Sequence, residues 1–244
     1  MNLPNALTVG RIAVTPLIAL LPLANSVSLR LLAFVLFVFA GVSDFVDGKL
    51  ARSRKQETDL GRLLDPLADK LLLVGTFIPM FWLAGSGWFM PAMHAADSAT
   101  GAVFREGFAG ARAFPFVTPL GVVPLPWWVV VIVLGRELFM TLFRQTAARR
   151  GVVIAAIGPA KWKTGIQLLW QGSAYFWFFI ATLALARHWD TSAWRGFAYF
   201  NGTVGTGAMA VAVVLTVWSL VLYLRRYGAV LGGRGTRDEG RVPR

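Results

Sequence analysis

Six apolar blocks, each near the length that crosses a bilayer, constrain this chain more than any other feature. They lie at Ile12–Leu23, Leu31–Val46, Leu67–Leu83, Trp127–Phe143, Ile166–Leu185 and Val204–Leu224. A hydrocarbon core is spanned by roughly 20 apolar residues in a helix, and a lone segment in lipid can satisfy its backbone polar groups only as a helix. The first block is short and follows Arg11, so its amphipathic N-terminal side is placed in the interface. It lacks the ordered regions of a removable signal peptide. The expected fold is therefore an all-α integral membrane protein with six transmembrane helices, forming one domain over residues 1–227. Residues 86–125, punctuated by Gly and Pro, form a long outer loop, and the Gly- and Arg-rich residues 228–244 form a disordered basic tail. Trp127, Trp128, Trp189 and Trp194 suit interfacial anchoring.

Charge gives the orientation. With the N-terminus inside, only Arg30, Arg105, Arg112, Arg187 and Arg195 of the 24 lysines and arginines fall outside. Basic residues favour the cytoplasmic side, so both termini are expected there. The net charge of +12 then reflects topology and attraction to anionic headgroups. Nucleic acid is not an expected partner, because no soluble basic domain is present to carry it. The absence of cysteine excludes disulfides and cysteine metal sites.

Against this apolar background, residues 44–69 hold six of the twelve acidic residues. Glu57 and Asp59 lie in the polar middle, but Asp44, Asp47, Asp65 and Asp69 border apolar runs, where carboxylates are costly unless paired, hydrated or metal-bound. On a helix, Asp44, Asp47, Gly48 and Ala51 share one face, with two of the smallest side chains leaving room for a bulky ligand. Asp65 and Asp69 are i, i+4 neighbours, with Asp65 placed at a helix cap and Pro66 in its first turn. There both carboxylates would gain from the helix dipole. The short connection brings the two pairs face to face. Four such carboxylates repel one another unless compensated. Oxygen-only ligation favours Mg²⁺ or Mn²⁺ over zinc, and two such ions can clamp a phosphoryl group. The competing reading is an interfacial ion-pair network with Lys49, Arg52 and Lys70.

The block matches D-x2-D-G-x2-A-R-x8-G-x3-D-x3-D at Asp44, Asp47, Gly48, Ala51, Arg52, Gly61, Asp65 and Asp69. It resembles the signature of the CDP-alcohol phosphatidyltransferase family. The resemblance implies a six-helix bacterial inner-membrane enzyme, a homodimer, with its polar cavity at the cytoplasmic face and CDP-diacylglycerol as donor. By the same resemblance Asp44, Asp47 and Asp65 are metal ligands. Asp69 both touches metal and takes the proton of the attacking hydroxyl. Gly48, Ala51, Arg52 and Gly61 border the cytidine diphosphate.

Three further stretches are similar to the family's bacterial branch that takes glycerol 3-phosphate as acceptor: Asn2–Arg11 (NLPNALTVGR), Leu63–Leu72 (LLDPLADKLL), and Arg136-Glu137 with Arg144 and AKWKT at Ala160–Thr164. Ala160 stands where that pattern has Gly. Arg136, Arg144, Lys161 and Lys163 are then the cations for the acceptor phosphate, Arg as a fork and Lys as a point charge. Glu137 would orient one of the arginines, and Arg149 and Arg150 read as topology charges. Phosphatidylglycerol, a phosphodiester of lower charge, is the close alternative acceptor; the second lysine of KWKT favours the monoester. Inositol-phosphate and serine transferases of the same family share the first motif but match the later segments less well. An ion transporter is the alternative from another class, but transporters place carboxylates near the midplane and often carry repeated halves. Here the carboxylates sit at one end and no repeat is visible.

Overall fold

All six apolar blocks fall on helices, the first of them ending in a 3₁₀ turn. The computed structural model describes residues 3–54, 59–85, 116–123, 125–152, 154, 158–189 and 191–228. The side chains of 3–4, 45–54, 59–60, 62–63, 82, 84–85, 122, 158–161 and 185 lie outside this description, as does the basic tail beyond Gly228. Among the described residues the order is α1 (Leu3–Leu20) with the 3₁₀ turn at Leu21–Leu23, α2 (Val27–Arg54), α3 (Asp59–Gly85), a hairpin of β1 (Phe116–Thr118) and β2 (Gly121–Val123), α4 (Trp127–Arg149), α5 (Gly158–Ala186) and α6 (Ser192–Tyr227). Among the described residues, three segments are long and apolar enough to cross a membrane: Asn5–Leu23, Val27–Asp44 and Ser192–Tyr227. The remaining helices α3, α4 and α5 are those whose sequences carry Asp65 and Asp69, Arg136 and Arg144, and Lys161 and Lys163. On α2, Leu31, Val35, Val38 and Val42 are all exposed while Ala33, Phe37 and Ala40 are buried. An apolar helix face left open in this way matches lipid as its solvent.

The chain divides into two compact units. Unit 1 comprises residues 1–126 and 168–208, and unit 2 comprises residues 127–167 and 209–244. In unit 1, α1 packs against α2 and α3. A Cβ on Gly75 of α3 would lie 2.9 Å from Thr15 Cγ2, so α3 approaches α1 closely because residue 75 has no side chain. Tyr175 donates to the Ile18 carbonyl at 3.1 Å and Gln171 to Thr76 at 3.0 Å. These two bonds satisfy buried polar groups while tying α5 to α1 and α3. Unit 2 centres on Met140, Phe143 and Tyr223, with Ile154, Leu220 and Tyr227 packed around them.

The structure corrects several sequence expectations. The helix bearing Asp65 and Asp69 already includes Asp59, so Pro66 is interior and Asp65 is not its cap. The helix-dipole benefit falls away beyond the first turn, so it does not act on these two carboxylates. Arg30, counted on the outer side from the charge bias, is fully buried within the protein. Its Nε donates to the carbonyls of Pro22 (2.9 Å) and Ala24 (3.0 Å), and its Nη1 to Thr182 Oγ1 (2.6 Å). A cation at the end of the first helical run meets the carbonyls left without intrahelical donors. Trp194 is buried and stacked on Trp177 at 5.7 Å, whereas Trp127, Trp128 and Trp189 are exposed as an anchor requires.

The expected outer loop contains ordered structure. β1 and β2 pair antiparallel with Phe116 opposite Val123, and Thr118 Oγ1 donates to the Gly121 carbonyl at 2.7 Å. Phe116 and Val117 are buried against α6, where a Cβ on Gly202 would collide with the Val117 backbone and one on Gly205 with the Phe116 ring. Residues 86–115 of that loop lie outside the described residues.

Candidate active site

The acidic motif spans two helices of unit 1. α2 runs unbroken through Asp44, Asp47, Gly48, Ala51 and Arg52, so the helical spacing that puts Asp44, Asp47, Gly48 and Ala51 on one face is present in the backbone. The side chains of Asp47, Lys49, Ala51 and Arg52 lie outside the described residues, as does any contact of Gly48. α3 supplies Gly61, which is buried, and Asp65 and Asp69, which are exposed.

Three of the four aspartates converge on α1. Arg11 Nη1 lies 2.5 Å from Asp44 Oδ1 and 2.9 Å from Asp69 Oδ1, so one nitrogen bridges the carboxylates of α2 and α3. Thr8 Oγ1, one turn earlier, donates to Asp65 Oδ1 at 2.8 Å. The Arg11 side chain is 1% exposed, while those of Asp44 and Asp69 are 40% and 59% exposed. The cation therefore lies beneath the carboxylates, which keep open outer faces. Asp44 and Asp65 both lie close enough to Asp69 to act on it electrostatically. In the sequence, Arg11 counts as an orientation charge and shares the Asn2–Arg11 stretch with Thr8, but neither is given a role at the aspartates. The available signal was the spacing of Asn5, Thr8, Arg11 and Thr15, a stripe in the first helix that is buried throughout.

The donor chemistry suits a hard divalent cation: carboxylate oxygens, with neither sulfur nor imidazole beside them among the described residues. Among the described residues, no three of His, Cys, Asp and Glu converge as a ready cation site. The side chain of Asp47, the fourth carboxylate of the motif, lies outside them.

Three of the four candidate acceptor residues, Arg136, Arg144 and Lys163, lie together in unit 2. Glu137 Oε1 accepts from Arg136 Nη1 at 2.9 Å and also pairs with Lys163 Nζ. Arg136 Nη2 donates to Ser219 Oγ at 3.2 Å. The exposed Arg144 reaches the Tyr223 hydroxyl at 3.4 Å, with its guanidinium carbon 5.8 Å from that ring's centre. Lys163 is 4% exposed; burial lowers its pKa from the ordinary lysine value, and Glu137 opposes the shift. Glu137 thus holds Arg136 and Lys163 rather than Arg144. With Arg136, Arg144 and Lys163 set against one carboxylate, the cluster stays positive. Ser219 and Tyr223, one turn apart on α6, contribute to it although no sequence motif marks them. The side chain of Lys161 lies outside the described residues.

The model of the family described as CDP-alcohol phosphatidyltransferase matches residues 1–218. The chain belongs to that family. Among CDP-alcohol phosphatidyltransferase relatives, it is similar along nearly its whole length to an Arabidopsis thaliana protein named CDP-diacylglycerol–glycerol-3-phosphate 3-phosphatidyltransferase 1, chloroplastic/mitochondrial. The two are 28% identical over 238 residues, which cover 95% of this chain and 64% of the plant protein. A Rickettsia bellii protein named CDP-diacylglycerol–glycerol-3-phosphate 3-phosphatidyltransferase is 51% identical over 79 residues, 32% of this chain and 43% of its own length. A rice protein (Oryza sativa subsp. japonica) named cardiolipin synthase (CMP-forming) is 26% identical over 238 residues, 95% of this chain and 59% of its own. In each of these three the match spans less than two thirds of the relative's own length. Family membership therefore accounts for the acidic motif, while long-range identity alone separates the two acceptor classes little.

Proposed function

We propose that this chain transfers the phosphatidyl group of CDP-diacylglycerol to glycerol 3-phosphate, giving phosphatidylglycerophosphate and CMP. The observation that carries the reading is the convergence of Asp44 and Asp69 on Arg11, with Asp65 held alongside, in a chain of this family. The primary hydroxyl oxygen of the acceptor attacks the lipid-bearing phosphorus. Its proton passes to Asp69, and the bond from that phosphorus to the bridging oxygen breaks to release CMP. Gly48, Ala51, Arg52 and Gly61 border the cytidine diphosphate. Asp44, Asp47, Asp65 and Asp69 hold Mg²⁺ or Mn²⁺, which supplies charge compensation for the diphosphate. Positioning and electrostatics account for most of the rate in phosphoryl transfer. Arg136, Arg144, Lys161 and Lys163 receive the acceptor phosphate. The remaining parts of the reading are six spans, cytoplasmic termini and site, the inner membrane of a bacterium, and a homodimer. They rest on the apolar blocks, the basic-residue bias and the family.

One observation favours a second acceptor. Glu137 neutralises part of the basic cluster, which suits phosphatidylglycerol better than a fully free set of cations would. The parallel assay distinguishes them: purified protein, Mg²⁺ or Mn²⁺ and labelled CDP-diacylglycerol, offered glycerol 3-phosphate, phosphatidylglycerol, inositol phosphate and serine. Glycerol 3-phosphate is expected to be the preferred acceptor. Faster turnover with phosphatidylglycerol moves the assignment to cardiolipin synthesis.

A further inference from the structure

We propose that Arg11, seconded by Thr8, is the positioning residue of the aspartate site: it fixes the carboxylates of α2 and α3 to α1 and thereby sets the site's cation affinity. The inference rests on the reading of the aspartates as cation ligands given above. α2 and α3 each carry carboxylates, and like charges brought together repel. Something on the inner side has to hold them in register. Arg11 does so with one nitrogen shared between Asp44 and Asp69. Its place is set by α1, where Asn5, Thr8, Arg11 and Thr15 form a buried polar stripe and Thr15 donates to the Arg11 carbonyl at 2.8 Å. A guanidinium this deeply buried is costly unless paired and hydrogen-bonded, so its location is tied to the carboxylates above it. The exposure is one-sided, with 1% for Arg11 against 40% and 59% for its partners. A ligand approaching the open side meets the carboxylates and not Arg11, which therefore acts through them. The rigid, planar guanidinium fixes the direction of that shared nitrogen, whereas the lysine ammonium is a compact point charge on a flexible stem.

The test is Mn²⁺ binding to the substrate-free full-length protein in micelles, read by the electron paramagnetic resonance of the free ion. Circular dichroism and thermal unfolding report the fold alongside. Arg11→Lys keeps the charge and loses the rigid guanidinium that aims the shared nitrogen, so it isolates positioning. It is expected to weaken Mn²⁺ binding about 10- to 100-fold, the range seen when a group orienting a metal ligand is lost. kcat should fall by a similar factor, with KM for CDP-diacylglycerol changed far less. Thr8→Val, which removes a single hydrogen bond to Asp65, should move the same readout in the same direction by less. If the Arg11 variants do not fold, Thr8→Val decides the matter: weaker Mn²⁺ binding upholds the proposal and unchanged binding overturns it. Unchanged Mn²⁺ affinity in a folded Arg11→Lys overturns it as well. So does tighter binding in Arg11→Met, which would make Arg11 a mere competitor of the cation, or a wild-type chain that binds no Mn²⁺. A wild-type chain that makes no phosphatidylglycerophosphate, yet loses Mn²⁺ affinity on Arg11→Lys, overturns the reaction proposed above and upholds this inference.

Discussion

Neutralising Glu137 should destabilise unit 2 through its cations rather than through lost packing. Glu137 Oε1 is shared by Arg136 and Lys163, both buried, and its own side chain is 27% exposed. Removing one partner of a buried ion pair costs about 3–5 kcal/mol, because the other charge is left uncompensated. Glu137→Gln strands two cations, but the partial exposure lets water recover some of the loss, which places the expected cost at about 2–4 kcal/mol. Lys163→Met leaves Glu137 with Arg136 still in place, so its cost should be smaller, about 1–2 kcal/mol. In the double variant one buried cation has gone along with the anion. The two losses should then fall short of additivity by about 1–3 kcal/mol, the coupling expected of residues in one network. Equilibrium unfolding in mixed micelles, followed by tryptophan fluorescence, measures all four proteins. Additivity within about 0.5 kcal/mol would show that the two side chains do not share a network, and the electrostatic account of the cluster would fail.

Asp69→Asn should lower turnover about 10²–10⁴-fold, the usual loss on removing a general base, while CDP-diacylglycerol binding is largely kept. Near-normal kcat in that variant removes Asp69 from the proton transfer. Arg144→Ala should raise KM for glycerol 3-phosphate about 10-fold or more, since a hydrogen bond to a charged group is worth roughly 1.5–3 kcal/mol, and should change KM for CDP-diacylglycerol far less. Equal effects on both KM values would assign Arg144 to something other than the acceptor phosphate. Gly202→Ala should destabilise unit 1 by about 1–3 kcal/mol, because the new Cβ collides with the Val117 backbone in the hairpin. Gly207→Ala, where a Cβ meets nothing within 4 Å, is the control and should be neutral or stabilising by up to about 1 kcal/mol from helix propensity. Equal thermal shifts in the two variants would mean that the hairpin does not depend on the glycine.

Local pattern was enough for the helices and for the acidic motif. Long apolar blocks leave a chain in lipid few options, and helical spacing along α2 follows from the positions of Asp44, Asp47, Gly48 and Ala51 alone. The pairing of charges was not legible in this way. Arg11 and Arg30 both read as orientation charges, yet each is buried, one beneath Asp44 and Asp69 and the other against the carbonyls of Pro22 and Ala24. The pattern of neighbours in sequence does not say which arginine finds a carboxylate thirty or more residues away. Lys163 is a similar case, its charge taken up by Glu137 on another helix. The β1–β2 hairpin is a third: Phe116 and Val117 sit in a stretch that reads as loop, and they are buried because α6 has glycines at 202 and 205 to receive them. Periodicity and composition are properties of short windows, so they determined the helices and the presence of an acidic motif. Burial of a charge or a strand is decided by what packs against it, and only the tertiary structure brings α1 under the aspartates and α6 under the hairpin.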